Sequence, residues 1–80
     1  MPEAKADLDF WIKSGNNPVL KKITQLIESI SAKPYEGIGK PEPLKHGLTG
    51  CWSRRITQEH RIVYEVHTYK IVVLSLKGHY

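Results

Sequence analysis

Cysteine occurs once, at Cys51, so no internal disulfide framework can form, and a reducing compartment is the expectation. No apolar run approaches the roughly 20 residues that a membrane-spanning helix needs. The longest strand-like stretch is IVVLSL, near the carboxyl end. Nothing at the amino end resembles a signal peptide, because Glu3, Lys5, Asp7 and Asp9 interrupt every apolar run there. The four histidines, His46, His60, His67 and His79, lack the close spacing of a metal site, with no HExxH and no Cys–His cluster. A glycine-rich phosphate loop is absent too, since GIGKPEP runs into prolines where a helix should start. The expectation that remains is one small domain over residues 1–80, in the cytoplasm and without membrane contact. At 40% hydrophobic residues it has a modest core and buries only about 60% of its unfolded surface.

Positive charge is plentiful but uneven. The net charge is +4. Residues 1–39 balance five lysines against five acids, whereas residues 40–61 hold Lys40, Lys45, Arg54, Arg55 and Arg61 against Glu42 and Glu59. All the arginines fall in that second segment. Charge gathered in this way suits a polyanionic partner, although a solvated basic rim accounts for it equally well on charge alone.

Residues 2–14 are predicted to form a helix, with Pro2 suited to its first turn and Gly15 stopping it. Its apolar positions Ala4, Leu8, Trp11 and Ile12 follow the helical period, with Phe10 to one side. Asn16 and Asn17 offer caps for a second helix that has Pro18 in its first turn. Val19, Leu20, Ile23, Leu26, Ile27 and Ile30 give that helix a single buried stripe. From Ser31 to Gly50 the chain carries three prolines and four glycines. A loop of this length in so small a domain usually has a function, and it has room for a short strand around Leu44–His46. After Gly50 the period drops to two. Residues 51–57, 60–67 and 70–78 read as strands of an antiparallel meander. In the middle strand Ile62, Tyr64 and Val66 share one face and Arg61, Val63 and Glu65 the other. In the last, Val72, Leu74 and Leu76 alternate with Val73, Ser75 and Lys77. The predicted fold is α+β, two amino-terminal helices on one face of a small antiparallel sheet, with the basic residues on the opposite face.

These residue types fit metal-free cleavage of RNA. The ribose 2′-hydroxyl is then the nucleophile, which excludes DNA as substrate. The reaction needs a base for the 2′-proton, cations for the charge building on phosphorus, and an acid for the departing 5′-oxygen. Glu42, the arginines and a histidine near a strand end could supply these, with histidine suited by its titration near neutrality. Glu42 could equally do no more than pair with Lys45. Cys51, ahead of a tryptophan at a strand start, is expected to pack there.

The stretch GIGKPEPLKHGLTGCWSRRITQEHRIVYEV, together with the terminal GHY, resembles the YoeB/Txe toxins of the RelE/ParE superfamily, and the similarity runs from about Pro2 to Tyr80. The resemblance implies a toxin of a type II toxin–antitoxin module, an endoribonuclease that needs no metal or cofactor and cuts mRNA in the ribosomal A site. It also implies restraint by a YefM/Axe-like antitoxin, contact with operator DNA only through that complex, and a homodimer as a candidate assembly. Position by position, Glu42 matches the general base, Arg61 the arginine that steadies the transition-state phosphate, His79 the general acid and Tyr80 an aromatic that positions substrate. Lys45 and Arg55 match basic residues against the RNA backbone. Arg54 and His46 fall within the pattern and are expected to contact phosphate or ribosomal RNA.

Simpler roles stand beside these. Arg61 could be an ion-pair partner of Glu59 or Glu65, Arg54 and Arg55 could hold the sheet edge, and His79 and Tyr80 could be a frayed tail. Trp52 could pack in the core or stack on a base, and Tyr64 belongs to the core. The same fold could also serve a non-enzymatic toxin of the ParE kind, or a degenerate toxin that only binds its antitoxin as a corepressor. The family opens with a short strand that this sequence lacks before its first helix, so exposed apolar surface, lower stability or dependence on a partner is expected.

Overall fold

Asn16 shows how local sequence sets the helices. Its side-chain carbonyl accepts the Val19 N–H at 3.2 Å, and Pro18 occupies the first turn beyond it. In the computed structural model, which describes residues 2–45 and 50–78, α1 spans Pro2–Ser14 and α2 spans Asn17–Ala32. The strands β1 (Glu42–Pro43), β2 (Cys51–Arg55), β3 (Arg61–Val66) and β4 (Ile71–Ser75) form one antiparallel sheet in the order β1-β2-β3-β4. Among the described residues no helix is long and apolar enough to cross a membrane.

The core lies between the helices and one face of the sheet. Trp11 of α1 and Val19, Ile23, Leu26 and Ile30 of α2 meet Ile56, Ile62, Tyr64 and Leu76. The predicted α2 stripe is therefore buried except for Leu20, which is half-buried, and Ile27, which stays exposed at its border. Among the described side chains of α1 only Ala4 and Trp11 are buried, while Leu8 and Ile12 are exposed. Asp7 explains the rotation. It takes an inward position between Ala4 and Trp11, where its carboxylate accepts the Leu76 N–H at 2.9 Å and the Ser75 hydroxyl at 3.2 Å. Leu8 and Ile27 then border a cleft of about 430 Å³ along Ile71, Val72 and Val73, beside β4.

The strands are shorter than alternation suggests, and the last one changes face partway. Val63 pairs with Ser75 but Tyr64 with Val73, so Leu74 is an extra residue in the ladder. The bulge lets Val73 and Leu76 both reach the core side, which strict alternation forbids. The short strand in the proline-rich segment falls at Glu42–Pro43, earlier than predicted. Pro43 has no N–H to give and tolerates only an edge position, which β1 occupies. Pairing continues one step further, as Leu44 N–H reaches the Cys51 carbonyl at 2.9 Å.

Candidate active site

The register of β1, β2 and β3 brings the chemistry together. Glu42 lies opposite Ser53, Ser53 opposite Val63, and Arg55 opposite Arg61. Alternation puts Glu42, Ser53, Arg55 and Arg61 on the sheet face away from the helices. Glu42 thus arrives on a short strand rather than on the irregular loop expected for it.

Arg61 occupies the middle of this group. Its Nη1 donates to the Ser53 hydroxyl at 2.9 Å, and its Nη2 lies 3.6 Å from a Glu42 carboxylate oxygen. The second distance is an ion pair too long to be a hydrogen bond. Only 13% of the Arg61 side chain is exposed, against 55% for Glu42, so the carboxylate is free to turn while the guanidinium is held. The ion pair foreseen for Arg61 exists, but with Glu42 in place of Glu59 or Glu65.

The carboxyl-terminal segment closes in beside Arg61. Gly78 accepts the Arg61 N–H at 3.0 Å and donates its own N–H to His60 Nδ1 at 3.0 Å. A ring nitrogen that accepts is unprotonated, so the clamp fixes the tautomer with hydrogen on Nε2. The His60 ring is set by an edge contact with Trp11, with centroids 5.0 Å apart. Arg55 and Lys45 are exposed, as RNA contacts need to be. His46, His79 and Tyr80 lie outside the described residues.

Arg54 departs from expectation. It is fully buried, and its donors are all committed within the protein. Nε reaches the Tyr64 hydroxyl at 3.1 Å, Nη1 the Ser29 hydroxyl at 2.7 Å and the Ile38 carbonyl at 3.3 Å, and Nη2 the Lys33 and Glu36 carbonyls. The guanidinium caps the carboxyl end of α2, where unpaired carbonyls and the helix dipole favour a cation. It cannot touch RNA from there, nor does it hold a sheet edge. Instead it fixes residues 33–39, and Gly37 and Gly39 let that segment come close. A Cβ on Gly39, at φ +81°, would stand 2.7 Å from Leu26 and 3.1 Å from the Arg54 Cβ.

Ser53 and His60, which hold Arg61 and Gly78 in place, are the positions in this cluster that sequence reasoning passed over. A small polar residue between Trp52 and Arg54 in a strand was the signal for Ser53, since alternation sets it on the Arg55 face. His60 was visible only as one histidine among four. Tyr64 is core, as expected, with its hydroxyl donating to the Pro34 carbonyl at 2.7 Å. Trp52 is half-buried against the core, with Tyr35 packed at 5.0 Å between ring centroids. Cys51 is buried at the start of β2, and burial first, then the Glu65 carboxylate, pushes its thiol pKa up. It is a poor nucleophile at neutral pH. Among the described residues no group of histidine, cysteine and carboxylates could hold a metal ion.

Comparison with known proteins bears directly on this arrangement. The model of the family described as YoeB-like toxins of bacterial type II toxin–antitoxin systems matches residues 1–80. Toxin YoeB of Escherichia coli K12 is 45% identical over 78 residues, covering 98% of this chain and 92% of the relative. The structure of a YoeB/ParE toxin from Agrobacterium tumefaciens superposes with a TM-score of 0.94 at 39% identity, covering 100% of this chain and 94% of that one. A YoeB–YefM complex from Staphylococcus aureus gives 0.89 at 46% identity, and a YoeB dimer from the same organism 0.90 at 44%; each covers 100% of this chain and 92% of the other.

Proposed function

Because the chain belongs to the YoeB-like toxins of bacterial type II toxin–antitoxin systems, we propose that its open sheet face is a ribosome-dependent endoribonuclease site that cuts mRNA in the A site. The observation that supports this best is the fixed Arg61 guanidinium. Tied to Ser53 and only loosely paired with Glu42, it keeps N–H groups for an incoming phosphate without a large rearrangement.

In the proposed reaction Glu42 takes the proton from a ribose 2′-hydroxyl. The 2′-oxygen attacks the adjacent phosphorus, the new P–O bond forms, and the bond to the 5′-oxygen breaks. Arg61 holds the charge that collects on the non-bridging oxygens. His79, the residue after the clamped Gly78, gives its proton to the departing 5′-oxygen, and Tyr80 positions the substrate. The products are a 2′,3′-cyclic phosphate and a free 5′-hydroxyl. Lys45 and Arg55 meet the RNA backbone at the rim, and His46 contacts phosphate or ribosomal RNA. No metal-bound water is required, because the nucleophile belongs to the substrate.

The proposed restraint is a YefM-like antitoxin, and self-association into a dimer belongs to the same proposal. An acidic chain laid over Arg55, Arg61 and Lys45 would close the site by charge complementarity.

Mapping transcript ends after induction tests the proposal. Wild type should leave new ends phased to the reading frame within translated messages, with 5′-hydroxyl termini. Glu42→Gln should reduce them by about 10²–10⁴-fold, the usual weight of a general base. Growth arrest without such ends, or antitoxin binding as the sole property, would remove the nuclease and leave a binding toxin or a corepressor.

A further inference from the structure

Lys22 of α2, Lys40 of the segment between α2 and β1, and Arg55 at the end of β2 line one cleft of about 340 Å³, with Gly39, Ile56, Thr57 and Gln58 completing its wall. Three basic residues on three separate elements line the same small space. Among the described residues none of them pairs with a carboxylate. Like charges gathered in this way repel one another unless an anion joins them.

Lys40 adds a second, independent observation. Its φ is +53°, and it is the one non-glycine residue with positive φ among those described. A lysine has no local hydrogen bond to offset that conformation, which survives only where the surroundings impose it. Here they do. The Arg55 N–H holds the Gly39 carbonyl at 2.6 Å, while Arg54 fastens residues 33, 36 and 38 from beneath. The fold thus holds the Lys40 backbone rigidly at the wall of the cleft, and among the described residues no carboxylate pairs with its side chain.

The cleft also stands in a definite relation to the candidate active site. Arg55, in its wall, lies directly across from Arg61. Along β2 it is two residues beyond Ser53, about 7 Å at the usual strand rise. That separation matches neighbouring phosphates of one strand. Among the described residues the cleft offers charge and a peptide wall but no aromatic residue for stacking a base.

We infer that the Lys22–Lys40–Arg55 cleft is a second phosphate site, which takes a phosphodiester of the substrate strand beside the one gripped by Arg61. The inference rests on the nuclease proposal for the identity of that strand. The cleft grips the backbone without reading sequence, and it sets the strand's register over Glu42.

Equilibrium binding to a short fluorescein-labelled oligoribonucleotide, with every 2′-hydroxyl methylated so that it cannot be cut, tests this across a salt series. Lys22→Gln and Lys40→Gly should each weaken binding several-fold at low salt. Each should also flatten the plot of log affinity against log salt by about 0.7, the value for one lost contact to a single strand. Lys40→Gly should melt no lower than wild type, since glycine accepts the positive φ, and this separates lost binding from lost fold. Lys70→Gln, at the β3–β4 turn, should leave both affinity and slope unchanged. Unaltered affinity and slope in both cleft variants would overturn the inference, as would an equal loss in Lys70→Gln or no salt-dependent binding by wild type. The outcome is separable from that of the nuclease proposal, since binding here needs no cleavage and transcript-end mapping needs no cleft.

Discussion

Arg54 and Arg55 are neighbours in the chain, yet β2 sends the first beneath the helices and the second out to the open face, where Arg61 joins it from β3. On the helix side the guanidinium has spent every donor on two hydroxyls and three backbone carbonyls. On the open side Arg61 has one close partner, Ser53, and one loose partner, Glu42. Burial explains the difference. A charge removed from water must have its hydrogen bonds met by the protein, so an arginine that is wholly inside has nothing left to offer a ligand. The same side chain builds the scaffold on one face and remains available for chemistry on the other.

The sharpest way to break that contrast is to empty the inner position. Arg54→Ala should cost about 3–5 kcal/mol, because it leaves the Lys33, Glu36 and Ile38 carbonyls unmet as well as a cavity. In a domain this small such a loss approaches the whole stability, so the expected result is a protein largely unfolded by circular dichroism at room temperature. Lysine should not rescue it, since three donors on one nitrogen cannot reproduce the spread of a guanidinium fork. If Arg54→Ala melted like wild type but lost only RNA binding, the division between the two faces would fail.

The outer position should respond the other way. Arg61→Ala should lower cleavage by about 10²–10³-fold, as removal of a transition-state donor does. Its melting temperature should stay within a few degrees, because the side chain caps no helix and fills no core space. The pair of variants therefore crosses over, with one losing fold and the other losing chemistry. A thermal melt and a cleavage assay on both proteins measure it.

How much of this was legible in the sequence depended on periodicity. Most of the α2 stripe, the Asn16 cap with Pro18 in the first turn, and the two faces of β3 are local patterns, and the structure reproduces them. What the pattern missed came from long-range contacts. Asp7 turned α1 because Ser75 and Leu76, almost seventy residues away, needed an acceptor. The β4 bulge moved Leu76 into the core through pairing with β3. Arg54 was the most misleading residue, since its hidden position depends on carbonyls at the end of α2 and in the following loop. Alternation did separate Arg54 from Arg55, but only the fold shows which of the two faces is dry. Glu42 and Arg61, quoted from a distinctive motif, lie beside each other in the structure, although the partner that orients Arg61 was not foreseen.

That partner provides the smallest and most discriminating prediction. Ser53 is buried and accepts from Arg61 across a diagonal of the β2–β3 ladder. Ser53→Ala removes one hydrogen bond, worth about 1 kcal/mol, and the exposed edge of the guanidinium can turn to water in compensation. The fold should be little affected, because alanine leaves no unmet group of its own in the strand. Cleavage should fall roughly five- to tenfold, with the loss in kcat, since a wandering guanidinium still attracts the strand but meets the phosphorane less often. If kcat were unchanged, Glu42 alone would orient Arg61, and the general base would be paired through the chemical step. If Ser53→Ala matched Arg61→Ala in severity, the hydroxyl itself would be touching the substrate, and the site would extend one residue deeper into β2 than the geometry indicates.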